Sequence, residues 1–319
     1  MTRILVTGAT GFVGRSLALA LAEAGGQVRA AARDTAQVPH APGIEPVRLP
    51  DLATPFDWKP LLAGVDIVVH LAGIAHADRA TALERYDRVN HQATAELAQA
   101  AAASGISRLI FMSSIRAQAG ASSPDVLRED AAPRPTDAYG RSKLAAEEAV
   151  RLSGVPFTIL RPVVIYGPGL KGNLASLLRI AALPVPLPFR KFDNLRSLLA
   201  IDNLIAAIRF VAVEPTTAGE TYVVADVAPV TFADIVGALR KGLGRPPELF
   251  SVSPAWFELA LRVSGCGALW DRLGGTQIAD ATKLRRAGWR PQVDTLAGLA
   301  AMAQAASPRK SGTASRSTR

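Results

Sequence analysis

The first 160 residues alternate short β-branched runs with longer Ala/Leu-rich stretches, and this alternation restricts the fold more than any other feature of the chain. Strands are predicted over 3–7, 27–31, 44–49, 65–71, 108–113 and 157–161, and helices over 13–24, 80–104 and 138–152. Segment 65–71 is apolar almost throughout, as a strand covered on both faces should be. Strands separated by helical patterns imply βαβ units with right-handed crossovers. The predicted fold class is therefore α/β, a doubly wound parallel sheet. After Pro162 the texture changes: prolines cluster at Pro184, Pro186 and Pro188, and the alternation weakens. Residues 199–211 and 232–243 read as helices and 221–224 as a strand. The expected organisation is a dinucleotide-binding domain over 1–165, a smaller substrate-binding lobe over 166–306 with segments returning to the sheet, and a disordered basic tail over 307–319.

Thr7-Gly8-Ala9-Thr10-Gly11-Phe12-Val13-Gly14 follows the first strand and opens the first helix. Glycine permits a tight turn and close backbone approach, and a helix N-terminus offers free N–H groups to a pyrophosphate. The spacing is G-x-x-G-x-x-G rather than the commoner G-x-G-x-x-G, but the physical demands are the same. A site of the NAD type places an acid at the end of the second strand, on the adenosine ribose. Here that position falls on Ala31 or Ala32, and Arg33 follows. A guanidinium there suits a 2′-phosphate, so NADP(H) is favoured over NAD(H). A one-residue shift would make Asp34 the ribose ligand instead. Asp51 and Leu52 follow the third strand and stand where the adenine edge would lie; Asp51 is equally suited to a turn.

Tyr139 and Lys143 are four residues apart, so a helix puts both on one face. A free phenol titrates near pKa ~10, too high for a base at neutral pH, and a neighbouring ammonium favours the phenolate. The pair can exchange a proton with an alcohol or carbonyl while hydride moves at a nicotinamide. One of Ser113 and Ser114, at the end of the fifth strand, is expected to hold the reacting oxygen. Four histidines (His40, His70, His76 and His91) and one cysteine, Cys266, show no zinc-ligand spacing, so no metal is expected.

Together with His70-Leu71-Ala72-Gly73, Val89-Asn90 and Arg161-Pro162-Val163-Val164-Ile165-Tyr166-Gly167-Pro168, these motifs resemble the extended short-chain dehydrogenase/reductases of the NAD-dependent epimerase/dehydratase group. The resemblance spans roughly residues 2 to 300. It implies catalytic Ser114, Tyr139 and Lys143. It also implies a cofactor set that adds Leu71, Ala72, Gly73, Asn90, Pro162 and Val164 to the glycine loop, with His70 at the cofactor's edge. In this group Asn173 and Arg196 would hold a nucleotide-sugar diphosphate, with Arg272 as a second arginine; guanidinium forks match phosphate oxygens. Sugar dehydratases carry carboxylates after the active Ser/Thr, whereas Ile115 and Arg116 follow Ser114, so dehydration is disfavoured. The implied function is oxidation or reduction at C4 of a nucleotide-diphosphate sugar. The subgroup resembled most includes a UDP-4-keto-6-deoxy-N-acetylhexosamine reductase of surface polysaccharide biosynthesis. A 4-epimerase with retained NAD, a reductase of a small hydrophobic ketone and a non-catalytic NAD(P) sensor are the alternatives. The resemblance also implies a homodimer.

Charge bears on partners. The formal net charge is +9, and four of the basic residues (Arg309, Lys310, Arg316 and Arg319) lie in the last thirteen positions, leaving +5 on the rest. No apolar run reaches membrane-spanning length and no signal region precedes the first strand. The expected setting is cytoplasmic, with a nucleotide-sugar as partner and neither nucleic acid nor membrane.

Overall fold

The computed structural model describes residues 2–75, 82–170, 173–265 and 274–307. Seven parallel strands form one sheet: β1 (Arg3–Thr7), β2 (Gln27–Ala32), β3 (Ile44–Arg48), β4 (Ile67–His70), β5 (Arg108–Met112), β6 (Phe157–Pro162) and, out of sequence, β10 (Glu220–Val224). Their order across the sheet is β3-β2-β1-β4-β5-β6-β10. Each strand sends alternate residues to opposite faces. Ile4, Val6, Val28 and Ile110 join α1 (Phe12–Glu23) and α7 (Ile201–Val213) in one core. Leu5, Ala31, Leu109 and Phe111 join α2 (Lys59–Leu62), α4 (Ala93–Ala103) and α5 (Ala138–Leu152) in the other. A sheet buried on both faces explains why 65–71 reads as apolar almost throughout.

Two expectations need correction. The helix predicted over 80–104 is interrupted: α3 (Ala82–Tyr86) passes through a π-helical turn, Asp87–Gln92, before α4. The turn places the Asn90 side chain on the loop after β4, where its Oδ1 accepts from the Ile74 amide at 2.8 Å. The helix predicted from 199 begins instead at Ile201. Leu199 and Ala200 belong to β9 (Leu198–Ala200), which pairs in parallel with β7 (Val164–Tyr166). A continuous apolar stretch cannot by itself distinguish a buried strand from a buried helix.

The later segment has its own core. There α6 (Asn173–Ala181) and α8 (Phe232–Gly242) pack with α9 (Pro254–Val263) and α11 (Thr295–Ala306). It also contains the short strands β8 (Leu195–Arg196) and β11 (Val230–Thr231), which pair antiparallel, and α10 (Thr282–Ala287). Buried Asp226 joins this core to the sheet. Its carboxylate accepts from the Ala200 amide, Asn203 Nδ2, Tyr166 Oη and Thr295 Oγ1 at 2.7–3.2 Å. Among the described residues no helix is long and apolar enough to cross a membrane. Replacing the hub, Asp226→Ala, strands several buried donors and is expected to lower unfolding free energy by about 3 kcal/mol. Urea denaturation measures this, with Asp226→Asn intermediate.

Candidate active site

The sheet reverses its winding between β1 and β4, and the crevice at their carboxyl ends is where such sheets bind ligands. A groove of about 390 Å³ occupies it, lined by Gly8, Thr10, Gly11, Arg33, Asp51, Leu52, Leu71, Ala72 and Gly73 among others. Gly8 has φ +72°, and a Cβ there would lie 2.9 Å from the Ala72 amide nitrogen, so no other residue lets the two loops close. Gly14 sits beneath the loop: a Cβ would stand 2.2 Å from the Gly8 carbonyl oxygen. Phe12 and Val13 turn inward onto the core. The open glycine turn, the start of α1 and two guanidiniums beside an apolar wall fit a dinucleotide. The second guanidinium, Arg85 of α3, lines the groove as Arg33 does. Nothing in its sequence setting marks it; only the approach of α3 to the loop after β3 brings it there.

Asp34 faces its own turn. Its carboxylate accepts from the Ala36 amide and from Gln37 Nε2, at 3.1 and 2.9 Å. Asp51 likewise caps its turn through the Ala53 amide at 3.0 Å, while still lining the groove. Asn90 lies behind the groove. It holds both the amide and the carbonyl of Ile74 and donates to Ser142 Oγ, so it braces the loop against α5. Pro162 ends β6 and Val164 begins β7, exposed at the carboxyl edge; neither lines the groove.

Ser114, Tyr139 and Lys143 converge beyond β4. Ser114 Oγ accepts from the Arg116 amide at 3.1 Å. Ser114 lies near enough to the Tyr139 hydroxyl to draw its pKa down, against the larger upward push of burial. The Lys143 ammonium donates to the Met112 carbonyl at 2.8 Å and lies 4.8 Å from the centre of the Phe111 ring. Burial lowers its pKa to about 8, while the Glu147 carboxylate pulls the other way. Ser113 is engaged elsewhere: its hydroxyl donates to Glu147 Oε1 at 2.5 Å. That contact engages Ser113, while Ser114 lies beside Tyr139. Glu147 also takes two bonds from Arg161, at 2.8 and 2.6 Å, and one from Arg151 at 3.0 Å. Sequence reasoning missed this cluster, although Glu147 lies one helical turn beyond Lys143 on the same face.

The proposed substrate arginines divide. Arg196 is half-buried on β8. It donates to the Ala121 carbonyl at 3.2 Å, and burial together with the charge of Arg116 lowers its pKa. Asn173 opens α6. Arg272 and the tail 308–319 lie outside the described residues. Among the described residues no cluster of His, Cys, Asp and Glu could hold a metal ion.

His70 is a buried brace rather than an edge residue of the groove. Thr7 Oγ1 accepts from the Leu71 and Ala72 amides, so its own proton goes to His70 Nδ1 at 2.8 Å. Thr94 gives its proton to the Asn90 carbonyl, so it accepts from Nε2–H at 3.2 Å. Both contacts fix a neutral ring, and burial with the Lys143 charge depresses its pKa from 6.5 to about 3. The unfolded chain then binds a proton that the folded chain refuses. Stability should fall by about 1.4 kcal/mol for each pH unit below the ordinary histidine value. Denaturation midpoints measured between those two pKa values check this, and His70→Asn should flatten the slope.

The model of the "NAD dependent epimerase/dehydratase family" matches residues 4–225. A UDP-glucose 4-epimerase of Vibrio cholerae is 33% identical, covering 95% of this chain and 94% of its own. A ceramide reductase of Caulobacter vibrioides is 29% identical over 90% of this chain and 86% of its own. Among solved structures, MoeE5 in complex with UDP-glucose and NAD superposes with a TM-score of 0.75 at 24% identity, covering 95% of this chain and 98% of that one. With the reversing sheet, the glycine loop and the Ser114–Tyr139–Lys143 group in place, the chain belongs to the NAD-dependent epimerase/dehydratase family, an SDR-type oxidoreductase or epimerase.

Proposed function

We propose that the protein reduces a ketone at C4 of a nucleotide-diphosphate sugar with exchangeable NADP(H), its best-fitting substrate being a UDP-4-keto-6-deoxy-N-acetylhexosamine. The observation that carries the reading is the engagement of Ser113 by Glu147, with Ser114 left near the Tyr139 hydroxyl. It leaves two hydroxyls, adjacent and polarised, to hold one carbonyl oxygen. The bound nicotinamide supplies the hydride. Ser114 orients the oxygen, and Tyr139 gives it a proton as charge develops. Lys143 lies one turn along, anchored by Met112, with an ammonium near its own titration point at about 8. It favours the departing phenolate by charge.

Arg33 and Arg85 support the NADP(H) preference, since both line the groove and Asp34 is engaged in its own turn. The sugar-nucleotide reading draws on the Vibrio relative and on Arg196, half-buried and beside Arg116. A 4-epimerase would use the same three residues but retain its cofactor. A reductase of a hydrophobic ketone is the second reading. The Caulobacter relative favours it, as do Trp256, Leu259 and Val263, which stand on α9 with Trp256 71% exposed.

Equilibrium binding should give a lower Kd for NADPH than for NADH, with Arg33→Ala closing most of the gap; tighter NADH binding overturns the preference. Tyr139→Phe should lose roughly 10²–10⁴-fold in kcat with a 4-keto UDP-sugar and NADPH. Arg196→Ala should raise KM for the nucleotide-sugar. An unchanged KM, alongside turnover of an apolar ketone, would favour the second reading.

A further inference from the structure

The Ser114 turn and the start of α5 are docked by contacts that the reaction itself does not explain. Residues Ile115–Ala117 form a single 3₁₀ turn directly after Ser114. A Cβ on Gly140 would lie 2.2 Å from the Arg116 carbonyl oxygen, so the first turn of α5 rests on that carbonyl. Asp137 caps α5 through its Oδ1, which accepts from the Gly140 amide at 2.7 Å, and its Oδ2 closes an ion pair with Arg116 Nη2. Arg116 in turn presents its amide to Ser114 Oγ. One residue therefore touches the reactive serine through its backbone and the cap of the tyrosine's helix through its guanidinium.

We propose that Arg116 and Asp137 are positioning residues for the Ser114–Tyr139 pair, a charge couple that docks the Ser114 turn on α5 and sets one charge against the other beside the Tyr139 hydroxyl. This rests on the reading of Tyr139 as the proton donor. The groups facing the phenol come from four elements. Ser114 approaches it from the turn after β5, and Arg116 brings positive charge from the same turn. Asp137 brings negative charge from the cap of α5. Tyr86 of α3 lies across from it, with ring centres 5.9 Å apart. Lys143 stands one turn along α5, and Arg196 of β8 lies beside Arg116. Of these, Asp137 and Tyr86 raise the phenol's proton affinity, while Ser114 and Arg116 lower it. Burial keeps the donor protonated at neutral pH, and the couple of opposite charges limits its drift when a charged ligand enters.

The test needs no substrate. In protein labelled with ¹³Cζ-tyrosine, four ring signals are expected, one for each tyrosine, and the one lost in Tyr139→Phe belongs to Tyr139. Asp137→Asn keeps a good helix cap and removes only the charge. It should lower the Tyr139 titration midpoint by about one pH unit. Arg116→Gln should raise it, leaving the ring un-ionised where the wild type is half titrated. The double variant should return towards the wild-type midpoint. Identical midpoints in the wild type and both single variants, or shifts of the same sign, overturn the couple. So does a fall in Tm with an unmoved midpoint, which would mark the pair as structural alone. With an active substrate, the alkaline limb of the reduction rate should follow the same order. Opposite NMR shifts without turnover of any nucleotide-sugar would uphold the couple and count against the proposed substrate instead.

Discussion

Glu147 has no exposed side-chain surface, yet its carboxylate meets two guanidiniums and a hydroxyl. A buried carboxylate is tolerable only when paired and hydrogen-bonded. Arg161, itself almost wholly buried on β6, supplies two of the bonds, so β6, α5 and the end of β5 are fixed relative to one another. Three features of the active site follow. Ser113 is turned away from the groove. Ser114 is left to face Tyr139. Lys143, one turn before Glu147, keeps its charge better than burial alone would allow, because a carboxylate stands behind it. Removing one member of such a network leaves an uncompensated buried charge, typically a loss of about 3–5 kcal/mol. The placement of Ser114 and Lys143 and the stability of this half of the sheet therefore depend on the same atoms.

The cofactor side is built on a different economy, with backbone fitted to backbone and neutral groups between. Thr7, His70, Thr94 and Asn90 form one relay of hydrogen bonds in which each proton position is determined by the next. It ties the end of β1 to the loop after β4, the two edges of the crevice. Asn90 then joins that loop to Ser142 on α5, so the groove and the helix carrying Tyr139 and Lys143 are mechanically continuous. The π-helical turn that interrupts the long helix is what puts Asn90 there, in keeping with the frequent use of such turns near functional sites.

Much of this arrangement was legible in the sequence where a local pattern determines a local structure. The βαβ alternation follows from side-chain period. The glycine loop follows from the conformations only glycine accepts, and the Tyr139/Lys143 pair follows from helical spacing. What was not legible depends on contacts between segments far apart in the chain. Ser113 and Ser114 are indistinguishable neighbours until Glu147, thirty-four positions away from Ser113, engages that one. Asp34 was a candidate ribose ligand until its bonds to Ala36 and Gln37 engaged it locally. Arg85 enters the groove only through the packing of α3, and β9 differs from the helix that follows it only by its pairing with β7.

Net charge shows the same limit. A value of +9 suggests polyanions, but several of the cations are committed within the fold. Arg240, 2% exposed, donates to the carbonyls of Ala181, Leu183, Val185 and Pro246 where the chain after α6 meets the end of α8. Arg29 does the same for Leu61 and Ala63, and Arg108 holds Thr158, Thr217 and the Val211 carbonyl. These guanidiniums act as multivalent donors to backbone ends that water would otherwise have to satisfy. The positive potential relevant to a ligand is therefore local. In the groove it comes from Arg33 and Arg85, whereas the charge of Arg116 is met by Asp137. Two guanidiniums lining one groove concentrate positive potential at a single place, an electrostatic footprint that the sum of +9 does not describe.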